Sequence, residues 1–371
     1  MADRSVKILF AAGGTGGHLF PALAVADELR KLRSDADILF VGTRTKIEAR
    51  IVPAEGYRFR TIWVSPLHRD FRLSNVLFII KAVVALFQSF FLVRRFSPDI
   101  VVGTGGYVAG PVLWVSSMLG VTTVVHESNS YPGVTTRLLS RRASKLFVSF
   151  EVTKKWLRRD DNVEVVGNPT RNVLGMVSRE EGSRFFNVDP SRKTLLVFGG
   201  SLGAASINNA IAGVVSALVE AGIQVIWQAG EMDFERVSRL LRSEVPSHGG
   251  AVWIGKFIDR MEYAYAAADL VVCRAGATTL AELTRLGKPA ILVPYPHASA
   301  DHQAVNARTL VEHGAAEMIL DQDINTRAGE GILELMLDSR KLKRMSEKSH
   351  QLGKPGAAAE MARKILTLVH R

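Results

Sequence analysis

DLVVCRAGATTLAELTRLGKPAILVPYPHASADHQAVNA, residues 269–307, reads as a strand, a turn, a helix and a second strand in quick succession. Leu270–Cys273 is an apolar run of strand length, and Arg274-Ala275-Gly276-Ala277 is a small-residue turn. The helix that follows carries Glu282 and ends at Gly287-Lys288-Pro289, after which Ala290–Val293 forms the next strand. Such a turn brings backbone N–H groups and a helix N-terminus together, which suits an anion. A carboxylate one to two turns along that helix can accept hydrogen bonds from the two hydroxyls of a ribose. A tight turn followed by a solvated helix residue would explain the same letters, so the rest of the chain has to decide.

Working outward, the N-terminus shows a related unit. The strand Val6–Ala12 runs into Gly13-Gly14-Thr15-Gly16-Gly17-His18, and an amphipathic helix is expected from Pro21 to about Leu32, with Pro in its first turn. The dinucleotide fingerprint needs a third glycine that is missing when counting starts at Gly14, so hydride transfer is disfavoured. His18, at the lip of the loop, is a candidate general base or simply a polar loop residue. Ile100–Val102 leads into a second glycine turn, Gly103–Tyr107, then a helix over Gly110–Leu119 and a strand over Thr122–Val125 that ends in His126-Glu127-Ser128-Asn129.

The second half repeats the scheme: strand Thr194–Phe198, glycine loop Gly199–Gly203, helix Ala204–Val219. Residues 98–127 likewise parallel residues 268–296. Matching order in the two halves predicts an α/β protein of two Rossmann-like domains, whose parallel sheets open their strand ends toward a shared cleft. A polar run without periodicity, from Gly167 to about Lys193, holds the expected boundary: a first domain over 1–167 and a second over 168–371. The last helix, Ala357–Val369, is free to pack back on the first domain.

Composition agrees with a folded two-domain protein: 371 residues, 47% hydrophobic and 22% charged. The single cysteine, Cys273, excludes an internal disulfide framework and reads as a small buried residue in its strand. No secretory signal is visible, so a cytoplasmic location is expected. A net charge of +11 favours anionic partners. Without a recognition helix, zinc spacing or interleaved aromatic and basic residues, nucleic acid is not an expected partner. The most apolar stretch, Val76–Val93, is flanked by Arg72 and by Arg94-Arg95. As a helix it would be about 27 Å long, near bilayer thickness. Lys81 and Gln88 interrupt it, however, and it feeds directly into a buried strand. A helix packed on the domain, touching a membrane surface through its exposed end, and a purely buried helix both fit. Asp35/Asp37 and Asp321/Asp323 are the only Asp-x-Asp pairs, and both read as solvated turns.

GGTGGHLFPALAVA (13–26), GTGGYVAGP (103–111), HESN (126–129), GNPTR (167–171), FGGSLGA (198–204) and residues 274–307 together resemble the MurG family of peptidoglycan glycosyltransferases, in family order over nearly the whole chain. The resemblance implies a GT-B fold and an inverting transfer of N-acetylglucosamine from UDP-N-acetylglucosamine to lipid I, giving lipid II. No cofactor and no obligatory metal are implied. It also implies a peripheral location for the protein on the cytoplasmic face of the inner membrane, whose anionic surface suits the basic, apolar region around Arg72–Arg95. Carried onto this chain, the resemblance puts Ser201 near the diphosphate, Arg171 within reach of donor or phosphate, and Ile258 at the uracil. It assigns Ala277, Thr278 and Thr279 to the phosphates, Glu282 to the ribose and Gln303 to the sugar hydroxyls, with Leu280 and Ala281 in the same donor site. Thr15, Gly16, Gly17 and Asn129 would close over the donor's sugar, and His18 becomes the leading base for the acceptor's 4-hydroxyl. Ser128 and Leu202 stand where the family often has Gln, which puts in doubt contacts made by those amides. The rival readings are a UDP-N-acetylglucosamine 2-epimerase, which would have no reason to touch a membrane, and a non-catalytic nucleotide-sugar-binding scaffold, which would not need His18.

Overall fold

Seven strands of the first half pair into one sheet: β1 (Lys7–Ala11), β2 (Asp37–Gly42), β3 (Arg58–Thr61), β4 (Ile100–Gly103), β5 (Thr122–Glu127), β6 (Lys145–Val148) and β7 (Val163–Val165). Their order is 3-2-1-4-5-6-7 and every pairing is parallel. Six strands of the second half form another sheet: β8 (Thr194–Phe198), β9 (Gln224–Gln228), β10 (Val252–Gly255), β11 (Leu270–Cys273), β12 (Ala290–Leu292) and β13 (Ala316–Met318), in the order 10-9-8-11-12-13. This is a computed structural model that describes residues 5–66, 74–200, 202–244, 250–298 and 301–369. The chain divides into two units, Met1–Arg171 with Lys354–Arg371, and Asn172–Gly353.

Parallel neighbours need crossovers, and helices covering both faces leave the central strands β1, β4, β8, β9 and β11 buried on both sides. In β1, Ile8 and Phe10 face one core while Leu9 and Ala11 face the other. Phe10 stacks on Phe40 of β2 with ring centres 4.9 Å apart. The Ala357–Val369 helix packs on the Gly16–Leu32 helix and contributes Met361, Ala362 and Ile365 to that first core. Both sheets reverse their strand order at equivalent places, between β1 and β4 and between β8 and β11. Ligands of open parallel sheets bind at such reversals, outside the carboxyl ends of the strands.

Local geometry departs from the sequence reading at several points. The first helix begins at Gly16, with Thr15 as its N-cap, and not at Pro21. The Thr15 carbonyl accepts from the N–H groups of both His18 and Leu19, so the end of the glycine loop already winds into the helix. The helix after β4 likewise starts inside its glycine turn, at Gly106. The helix expected over Ala204–Val219 is two pieces, Ala205–Ala212 and Val215–Glu220, broken at Gly213 and Val214. The run before Lys193 is not irregular throughout: Arg179–Phe186 is a helix, started by a capping box between Ser178 and Glu181.

The apolar stretch forms the Ser74–Phe96 helix. Ala85, Ser89, Val93 and Phe96 are buried, whereas Ile79, Phe87 and Phe91 are 62%, 62% and 67% exposed. The two polar interruptions have local partners: Gln88 accepts from the Trp63 N–H at 2.7 Å, and the Lys81 ammonium lies 5.5 Å from the centre of the Trp63 ring. Arg94 and Arg95 are exposed at the last turn, while Arg72 lies outside the described residues. Among the described residues no helix is long and apolar enough to cross a membrane.

Candidate active site

In the first unit the loops after β1 and β4 meet around one side chain. His18 Nδ1 lies 3.0 Å from the Thr104 carbonyl, and the Thr104 hydroxyl donates back to the His18 carbonyl at 2.6 Å. A carbonyl only accepts, so Nδ1 carries the hydrogen and Nε2 of the neutral ring carries the lone pair. Close approach explains the second glycine turn. Gly105 and Gly106 have φ of +100° and +77°, and a Cβ on Gly105 would fall 2.7 Å from His18 Nδ1. Burial of the ring pushes its pKa below the ordinary 6.5, opposed by the negative charge of Glu127 and by the Thr104 carbonyl. At neutral pH His18 is therefore an unprotonated base.

Two buried carboxylates brace neighbouring segments, Glu48 the turns after β1 and β2 and Glu127 the segment after β5. Glu48, which the sequence reading did not single out, accepts from the Gly14 N–H at 3.1 Å, the Thr43 N–H at 2.9 Å and the Thr43 hydroxyl at 2.7 Å. Glu127, at the end of β5, accepts from the N–H and side-chain amide of Asn129 at 3.0 and 3.1 Å, from the Gly133 N–H at 3.0 Å and from the Thr136 hydroxyl at 2.6 Å. Asn129 is thus oriented by Glu127. The neighbouring His126 is fully buried, with Nε2 3.2 Å from the Gly167 carbonyl, and burial pushes its pKa down to about 4. Ser128 is buried and donates to the Asn168 side-chain oxygen at 3.2 Å. Thr15 and Gly17 are exposed and Gly16 half-buried at the start of the first helix. The Arg171 guanidinium lies over the Phe20 ring of that helix, 4.9 Å from its centre, and its Nε has no hydrogen-bond partner among the described residues.

The Glu127 charge raises the His18 pKa, so neutralising it must lower that pKa. In a Glu127→Gln variant the His18 ring titrates at lower pH than in wild type, as followed by NMR of its ring protons. An unchanged or higher midpoint would contradict this electrostatic coupling.

In the second unit the equivalent loops follow β8 and β11. Gly276 caps the Ala277–Leu286 helix, and Gly287 ends it in the left-handed conformation. Ala277 is buried, Thr278, Thr279 and Ala281 are half-buried, and Leu280 turns into the core while its N–H donates to the Gly276 carbonyl. Glu282 is not a solvated helix residue: it is 7% exposed and one oxygen accepts from the Tyr265 hydroxyl at 2.9 Å. Ile258 is buried after β10, and its N–H donates to the Gln228 side chain at 2.9 Å. Gln303 lies in the His302–Glu312 helix and accepts from the Tyr295 N–H at 3.0 Å. Leu202 is exposed, and Ser201 lies outside the described residues.

One expectation needs correction here. Asp321 is no solvated turn residue: it is ion-paired with Arg274 and accepts from the Ser206 hydroxyl at 2.6 Å. Arg274 also donates to the Val293 and Pro294 carbonyls, each at 3.2 Å, so this cluster braces the turn after β11 against the end of β12. The other pair, Asp35/Asp37, is occupied by Arg33 and Arg58. Among the described residues no group of acidic, histidine or cysteine side chains is arranged to hold a metal ion.

Two parallel α/β units, each with glycine-lined turns at its reversal point, define the GT-B class of nucleotide-sugar enzymes. Residues 8–148 match the glycosyltransferase family 28 N-terminal domain and residues 194–361 its C-terminal domain. A UDP-N-acetylglucosamine--N-acetylmuramyl-(pentapeptide) pyrophosphoryl-undecaprenol N-acetylglucosamine transferase of Chlorobium limicola is 44% identical, over 98% of this chain and 99% of its own. The crystal structure of MurG from Acinetobacter baumannii matches with a TM-score of 0.72 at 28% identity, covering 98% of this chain and 99% of that one. The chain belongs to the MurG family of glycosyltransferases. A UDP-N-acetylglucosamine 2-epimerase, 15% identical with a TM-score of 0.67 over 98% of this chain and 96% of its own, shares the fold alone.

Proposed function

We propose that this chain transfers N-acetylglucosamine from UDP-N-acetylglucosamine to the 4-hydroxyl of undecaprenyl-pyrophosphoryl-MurNAc-pentapeptide, converting lipid I to lipid II at the cytoplasmic face of the inner membrane. The full-length likeness to a relative named for this transfer carries the reading. The site chemistry supports it. In the second unit, N–H groups at Ala277, Thr278 and Thr279, with the helix dipole behind them, meet the donor's phosphates. Ser201, outside the described residues, is assigned to the diphosphate, and Leu280 and Ala281 complete that helical turn. Glu282 accepts from the ribose hydroxyls, a carboxylate offering about four lone-pair sites. Ile258 meets the uracil and Gln303 the sugar hydroxyls.

In the first unit, Thr15, Gly16, Gly17 and Asn129 contact the sugar, and Arg171 meets donor or phosphate. As the acceptor's O4 attacks the anomeric carbon, His18 Nε2 takes its proton. The bond from that carbon to the diphosphate oxygen breaks with inversion, and the charge left on UDP is met by preorganised N–H dipoles. Release of UDP that requires the lipid acceptor tests this reading. Loss of UDP-N-acetylglucosamine to its 2-epimer, with or without acceptor, would favour the epimerase instead.

Membrane contact is assigned to the exposed face of the Ser74–Phe96 helix, with Ile79, Ile80, Val83, Phe87 and Phe91 outward and Arg94 and Arg95 at its end. Apolar side chains enter the interfacial region while arginines meet anionic head groups. A Phe87→Glu variant forfeits roughly 2 kcal/mol of apolar burial and adds repulsion. Its binding to phosphatidylglycerol vesicles falls by at least about tenfold in sedimentation assays, with UDP affinity unchanged. Equal vesicle binding by the two proteins would remove this helix from the membrane contact.

A further inference from the structure

In the second sheet β9 lies between β10 and β8, and its last residue, Gln228, is 3% exposed. Its side-chain amide spans both neighbours. Nε2 donates to the Gly200 carbonyl at 2.8 Å, and Oε1 accepts from the Ile258 N–H at 2.9 Å. These partners dictate the amide's orientation, because a backbone N–H only donates and a carbonyl only accepts. The glycine turn also sits directly on the chain that follows Gln228: a Cβ on Gly203 would fall 2.4 Å from the Ala229 carbonyl oxygen. The Gly200 carbonyl accepts in addition from the Gly203 N–H at 3.1 Å, closing the turn on itself. One buried side chain therefore ties the turn after β8 to the segment after β10.

We infer that Gln228 is a positioning residue for the donor, holding the phosphate-facing backbone at Gly200 and Gly203 and the base-facing backbone at Ile258 in one fixed relation. The inference rests on the donor-site reading above. Gln228 does not touch the ligand in this account, because each end of its amide already serves one of the two segments. It acts through them, so that nucleobase and diphosphate are recognised as a single unit of fixed length. The two arms of the amide are chemically separable. Glutamate at this position still accepts from the Ile258 N–H but cannot donate to the Gly200 carbonyl, and alanine serves neither.

The test measures uridine binding by NMR titration, UDP binding by calorimetry, donor KM and kcat, and Tm, for wild type, Gln228→Glu and Gln228→Ala. Each lost hydrogen bond is read as roughly a five- to tenfold weakening. Gln228→Glu keeps uridine affinity within about twofold and loses UDP affinity by about tenfold or more, since a carboxylate also faces the phosphate-bearing turn. Gln228→Ala weakens both ligands. In both variants donor KM rises while kcat at saturating donor changes little, a split that general destabilisation does not produce. UDP and uridine affinities that stay within about twofold of wild type in both variants would overturn the role, whatever happens to Tm. Equal weakening of both ligands by Gln228→Glu would overturn it as well. Wild-type protein that binds no UDP would overturn the donor-site reading, and this inference with it.

Discussion

Replacing His18 with Ala lowers kcat for transfer to a lipid I analogue by about 10²–10⁴-fold, the usual contribution of a positioned base, while UDP affinity stays within about twofold of wild type. The expectation follows from the ring's setting. With Nδ1 tied to the Thr104 carbonyl, only Nε2 is available to take a proton. A base works unprotonated, so kcat/KM rises with pH through the His18 pKa of the free enzyme. Burial lowers that pKa below 6.5, and the acid limb of the profile therefore lies below 6.5. The variant should lose that limb together with the rate. Alanine leaves both glycine turns without a clash, since it removes the ring that Gly105 and Gly106 accommodate. Retained UDP affinity then separates lost chemistry from lost folding. A variant with wild-type kcat would take His18 out of the reaction while leaving the transferase reading in place.

Removing the carboxylate of Glu282 has the second largest expected effect. Glu282→Ala lowers kcat/KM for the donor by about 10²-fold, corresponding to loss of about two charge-assisted hydrogen bonds of roughly 1.5 kcal/mol each. The decisive control is the ligand. Wild type binds UDP more tightly than its 2′-deoxy analogue by about tenfold, and in Glu282→Ala that preference disappears, as a double-mutant cycle between residue and hydroxyl requires. Tyr265→Phe removes only the hydroxyl that donates to Glu282 and costs about tenfold or less. If the 2′-deoxy preference survives in Glu282→Ala, another residue reads the ribose.

The candidate residues legible in the sequence are those that follow a local pattern. Strand, glycine turn and helix follow each other within a few residues at Gly13–His18, Gly103–Tyr107, Gly199–Gly203 and Arg274–Ala277, and their repeated order in the two halves matches the order of β1 and β4, and of β8 and β11, in the two sheets. His18 and Glu282 could be picked out because each sits directly behind such a turn. The groups that hold those residues in place could not. Glu48 reaches Gly14 across 34 positions and Thr104 reaches His18 across 86, because crossovers bring distant segments to neighbouring strand ends and leave no periodic trace. Gln228 closes an ordinary β-strand pattern, and only the sheet order shows that it stands between two loops. Asp321 reads as a solvated turn residue for the same reason: its partner Arg274 lies 47 residues away. Helix starts were displaced where glycine and proline suggested a loop, since the Thr15 carbonyl already gathers the first helical N–H groups.

Transfer of labelled N-acetylglucosamine from its UDP donor to a lipid I analogue, by the purified full chain with EDTA present, tests the central claim most directly. Label is expected in a disaccharide-bearing lipid, formed one-for-one with UDP and lost in His18→Ala. Unlabelled lipid alongside UDP-sugar converted to its 2-epimer would contradict the claim.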